Sequence, residues 1–141
     1  MKNHILIIAN NQSQRCMYAD MLTAHGYRVS EAQSVDDAMF KLKNKDISLI
    51  VFDEYDQENN VEFLIKGLGT SKNRIDCLIL TSNPSNKTKA FLKKNGYGSL
   101  LIKPIDMFDF VHAVSVRCSG RSIEDLVDSD SKQRQSGPCI S

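Results

Sequence analysis

Three residues whose side chains could act together on one anion each close a separate apolar run of the 141-residue chain. Asp53 ends ISLIVFD (47–53), Thr81 ends CLILT (77–81) and Lys103 ends SLLIK (99–103). Brought together, a carboxylate, a hydroxyl and an ammonium would suit a tetrahedral anion. The ammonium and hydroxyl would bind its oxygens and the carboxylate would attack it. Each residue could also be no more than the polar position at which a strand stops. The case for a site is that three runs stop this way. A fourth run, ILIIA (5–9), leads into Asn10 and Asn11, two amides that bring no charge.

These ends meet only if the runs are parallel strands of one sheet. ILIIA, ISLIVFD and CLILT are nearly continuous in apolar residues, the pattern of strands covered on both faces, whereas YRVSEA (27–32) is mixed, as an edge strand is. Helical patterns lie between most of the runs. One is expected over 12–25, with Cys16, Met17, Met21 and Leu22 inward and Gly26 as its stop. Ser34-Val35-Asp36-Asp37 forms a capping box ahead of Ala38, Met39 and Leu42. A short, weak pattern surrounds Val61 to Ile65. Another runs from Asn86 to Asn95 and stops at Gly96. The last begins at Met107 and reaches Cys118, with Phe108, Val111 and Val114 at helical spacing. The order βαβαβαβαβα with right-handed crossovers gives an α/β fold, a doubly wound five-stranded parallel sheet of flavodoxin-like type. In that architecture the C-terminal ends of the central strands line the ligand crevice.

Residues 1–118 make one domain on this reading. Residues 119–141 are polar, rich in Ser and Asp, and form a tail or linker, disordered in part. A net charge of +1 gives no footprint for nucleic acid or a membrane surface. The densest basic run, KLKNK (41–45), suits a solvated helix end. No apolar run approaches the ~20 residues that span a bilayer. Cys16, Cys77, Cys118 and Cys139 include no C-x-x-C pair and no His at metal-ligand spacing, so reduced thiols in a cytoplasmic protein are expected.

Taken together these residues resemble the receiver domain of two-component response regulators over roughly residues 3–118. Asp53 matches that family's phosphoacceptor. Thr81 matches its phosphate-responsive hydroxyl, with Ser82 as the small neighbour, and Lys103-Pro104 matches its Lys-Pro pair, which is typically cis. Arg15, Gly26-Tyr27 and Glu31-Ala32 fall at common family positions without gaps.

The departures lie where the family holds Mg²⁺. Its acidic pair after strand one is replaced by Ala9 and Asn10, with Asn11 beyond. A hard cation favours carboxylate oxygens. Losing two of them would weaken binding by several kcal/mol, on the scale of ~4 kcal/mol per close charge pair at an effective dielectric near 20. Asp56 and Glu58 are the acids that could compensate. The loop DEYDQENNV carries Gln57 and Val61 where a Pro and a Gly are usual, and Leu100 stands at the family's aromatic switch position.

The resemblance therefore implies an atypical receiver, independent of phosphorylation, that acts as a non-enzymatic protein-interaction module with no cofactor and Mg²⁺ binding weak or absent. Its partners would be signalling proteins, a histidine kinase among them, or a second copy through helix four, strand five and helix five. Two alternatives remain open. One is a working receiver phosphorylated on Asp53 by a histidine kinase. The other is a flavodoxin-like small-ligand binder, which the absence of a Gly-rich loop at Asn10-Asn11-Gln12-Ser13 disfavours.

Overall fold

The apolar runs become five parallel strands, and the reason lies in what covers them. In a computed structural model, which describes residues 3–43, 46–54, 61–68, 75–82, 86–94 and 99–119, the elements alternate strictly. They are β1 (His4–Ile8), α1 (Gln12–Ala24), β2 (Arg28–Ala32), α2 (Val35–Leu42), β3 (Leu49–Glu54), α3 (Val61–Leu68), β4 (Asp76–Thr81), α4 (Asn86–Lys94), β5 (Ser99–Ile102) and α5 (Met107–Ser119). The sheet order is β2-β1-β3-β4-β5, every pair parallel. This is the expected doubly wound sheet, with β2 at one edge.

Helices pack on both faces. Tyr18 and Leu22 of α1 join Phe110 and Val114 of α5 over Ile5, Ile7, Val51 and Leu80. On the other face Val35 of α2, Leu64 of α3 and Leu92 of α4 cover Leu6, Ile8, Phe52 and Ile79. Successive strand residues therefore feed opposite layers, which is why the central strands are apolar at nearly every position.

Side chains terminate the helices. Asn11 caps α1, its Oδ1 accepting from the Gln14 N–H at 2.9 Å. Ser34 caps α2 by accepting from the Asp37 N–H at 3.1 Å, while Asp37 reaches back to accept from the Gln33 N–H at 3.2 Å. At the end of α1 the chain turns through Gly26 at φ 91°, a value that suits Gly because it has no Cβ. The Tyr27 N–H then returns to the Leu22 carbonyl at 3.1 Å.

Two helix faces differ from the expected ones. Cys16 and Met17 are exposed, and the inward stripe of α1 is Tyr18, Ala19 and Leu22, with Met21 half-buried. At about 100° per residue, Met17 sits about a third of a turn off the line that Tyr18 and Leu22 define. In α5, Phe108 is 74% exposed, while Phe110 and Val114 are fully buried. These last two lie four residues apart and set the phase. The weak pattern near residue 61 is a real helix, burying Val61, Leu64, Ile65 and Leu68.

The expected stop of α4 at Gly96, the acids Asp56 and Glu58, and the tail beyond Ser119 lie outside the described residues. Among the described residues no helix is long and apolar enough to cross a membrane.

Candidate functional site

Asp53 is the penultimate residue of β3 and is 1% exposed. Its side chain lies on the α1/α5 side of the sheet, and each of its oxygens has a partner. Oδ1 pairs with the Lys103 ammonium. Oδ2 accepts from the Tyr18 hydroxyl at 3.1 Å. Lys103 follows β5 directly. Its backbone N–H donates to the Thr81 carbonyl at 2.8 Å, which extends the β4–β5 ladder one step, and the Lys103–Pro104 peptide is cis. A carboxylate this deeply buried needs such partners. Removing one member of a buried ion pair typically costs about 3–5 kcal/mol, because the charge left behind is uncompensated.

Tyr18 is the residue that sequence reasoning missed. It projects from the second turn of α1, is 2% exposed, and lays its ring against Phe110 with centroids 5.2 Å apart at 46°. Its hydroxyl also lies 3.0 Å from Gln14 Oε1. A phenol has one proton, and the charged acceptor is the stronger one, so the proton points to Asp53. Turned end for end, the Gln14 amide then donates to the phenol oxygen, and both bonds are satisfied. Burial, then the negative charge of Asp53, then the hydrogen bond to it hold the Tyr18 phenol well above its usual range. The available signal was an aromatic with a polar tip on α1, in the same buried cluster as the small Ala9.

Thr81 ends β4 as the register partner of Glu54, and its hydroxyl donates to Glu54 Oε1 at 2.9 Å. Strand alternation puts this pair on the sheet face opposite Asp53. Asp53 and Lys103 are thus together, while the Thr81 hydroxyl bonds to Glu54. Ser82 is exposed just beyond β4, and Leu100 packs on the α2/α3/α4 side of the sheet.

The loop after β1 brings Ala9 beside this site, fully buried, with its N–H donating to the Ala32 carbonyl at 3.0 Å. Asn10 is exposed, and the Asn11 oxygen is committed to the α1 cap. Arg15 closes over the loop. Its Nη1 donates to the Ala9 carbonyl at 2.8 Å and the Asn10 carbonyl at 3.4 Å, and its Nε pairs with Glu31 at 3.2 Å. A divalent hard cation asks for several oxygens in near-octahedral array. The side chains described here do not form that donor set. Ala9 has no oxygen to give, the Asn11 oxygen is used, both Asp53 oxygens already accept from donors, and a guanidinium holds the loop carbonyls. Among the described residues no group of three or more His, Cys, Asp or Glu is arranged to hold a metal.

Two histidines bond elsewhere. His4 Nε2 bonds Ser30 Oγ at 2.7 Å, and His25 Nδ1 meets the Met21 carbonyl at 2.9 Å at the end of α1.

Comparison with known proteins gives the class of fold. The signal receiver domain of a LuxO repressor protein from Vibrio parahaemolyticus superposes with a TM-score of 0.77 at 19% identity, covering 90% of this chain and 98% of that one. The chemotaxis protein CheY4 of Vibrio cholerae superposes at 0.72 with 23% identity, covering 82% and 98%. A receiver domain of a histidine kinase from Syntrophus aciditrophicus gives 0.74 with 20% identity, covering 84% and 91%. The chain therefore has the receiver fold. In sequence it is 27% identical over 108 residues to the CAI-1 autoinducer sensor kinase/phosphatase CqsS of Vibrio cholerae, covering 74% of this chain. The match takes in 16% of that much longer protein. No family model matches the chain.

Proposed function

We propose that the chain is a receiver-type module of two-component signalling that works by protein contact and without phosphorylation of Asp53. The observation that carries this reading is the state of Asp53. On the receiver resemblance it matches the phosphoacceptor, but one oxygen is ion-paired to Lys103 and the other accepts from Tyr18, after a loop with Ala9 and Asn10 where the resemblance calls for acids. Phosphoryl transfer to a carboxylate relies on a cation to neutralise the transferring oxygens. With the metal donors replaced, the nucleophile stands without its usual electrophilic partner, and the ion pair holds it in one arrangement.

The partners on this reading are other signalling proteins, a histidine kinase among them, in keeping with the sensor-kinase relative. The contact face is α4, β5 and α5, where Ile102 and Phe108 are exposed and Lys93 and Lys94 close α4. A second copy of the chain is the other occupant of this face.

The test is mass spectrometry after incubation with acetyl phosphate and Mg²⁺. No phosphoryl adduct is expected. An adduct that disappears in Asp53→Asn would overturn the proposal and establish the alternative, a receiver phosphorylated on Asp53, which the retention of Asp53 and Lys103 favours.

A further inference from the structure

Tyr18 belongs to neither the expected site nor its expected helix face, yet its neutral hydroxyl donates to the buried carboxylate. It reaches Asp53 from α1, the helix that follows the loop carrying Ala9 to Asn11. Ala9 and Tyr18 both lie on the face of the sheet that carries Asp53. The Tyr18 oxygen lies 3.1 Å from Oδ2. A Mg²⁺ ion on the same lone pair, at ~2.1 Å, would fall about 1 Å from the phenol oxygen, so the two exclude each other. Small, buried Ala9 lies in the same packed cluster as the Tyr18 ring, with Phe110 behind it.

We infer that Tyr18 is an internal occupant of the metal position. Its hydroxyl supplies the donor that Asp53 would otherwise find in a divalent ion, and restoring the acids alone does not reopen the site. This rests on the reading of Asp53 as the phosphoacceptor-like residue. Tyr18 acts through Asp53 and is a positioning residue.

The full chain is compared as wild type, as Ala9→Asp with Asn10→Asp, and as that pair combined with Tyr18→Val. The probe is Mg²⁺ followed by amide shifts, with Mn²⁺ broadening as a check. The acid pair alone should bind within threefold of wild type, and the triple variant at least tenfold more tightly. If the two variants bind alike, tightly or not at all, Tyr18 is not what excludes the ion. A wild type that binds Mg²⁺ and is labelled on Asp53 sinks the proposed function itself. A silent wild type with a tight acid pair sinks only the role of Tyr18. Should the added acids unfold the domain, ¹³Cζ-labelled tyrosine decides the matter. Asp53→Asn should move the Tyr18 resonance, assigned by its loss in Tyr18→Phe, and an unmoved resonance overturns the proposal.

Discussion

A phenol that donates to a buried carboxylate ties the stability of the fold to alkaline pH. Tyr18 keeps its proton in the folded state well past the ordinary phenol value of 10.0, chiefly because it is buried and secondly because Asp53 is charged. Above about pH 10 the unfolded chain has lost that proton and the folded chain still holds it. The unfolded state then binds fewer protons, and stability falls as pH rises. Below that pH the Tyr18 contribution is complete. Urea midpoints should therefore drop from about pH 10 upward, and Tyr18→Phe should lose part of the drop. Tyr27, also raised by burial, supplies a share in the same direction that the Phe variant retains. An unchanged alkaline slope in Tyr18→Phe would refute the assignment. Asp53 and Lys103 were legible in the sequence because each closes an apolar run. Tyr18 was not, because its bond crosses 35 positions from a helix to a strand. Local spacing records which side chains share a face, not what a side chain meets across the core.

The same limit appears among the elements. All five strands and five helices were legible, since continuous apolar runs and 3.6-residue patterns are strong signals. Helix phase was harder. Met17 and Phe108 are as apolar as the residues that replaced them inward, and only packing against the sheet chose Tyr18 and Phe110. The two asparagines after β1 also look alike in sequence and have different work. Asn11 caps α1, whereas Asn10 is exposed and only its carbonyl is engaged among the described residues, by Arg15. Asn11→Ala should cost about 1 kcal/mol, the usual loss for an N-cap, and Asn10→Ala should cost less than ~0.5 kcal/mol, as surface changes do. Denaturant unfolding of the two variants checks this, and equal costs would contradict it.

For the whole molecule, the question is which surface meets another protein. Phe108 and Ile102 stand 74% and 55% exposed on α5 and β5. Their burial in a complex would each release about 1.5–3 kcal/mol of apolar transfer energy at most. Phe108→Ser with Ile102→Ser should thus weaken self-association or partner capture at least tenfold, while thermal unfolding of the isolated chain changes little. Sedimentation velocity reads the first and calorimetry the second. If association persists unchanged, the α4/β5/α5 face is not the one used. The receiver resemblance named this face in the sequence, whereas its exposed apolar side chains are legible only once the inward ones are known.

The Tyr18 ring has a mechanical consequence. An aromatic side chain is a stiff rod with two torsions, and this one touches Asp53 at its tip and Phe110 along its flank. Tip and flank cannot move independently. A shift of the carboxylate at the end of β3 would therefore press on α5 at Phe110, two residues from the exposed Phe108. The strand and the helix are thus tied through one side chain rather than through the backbone of either.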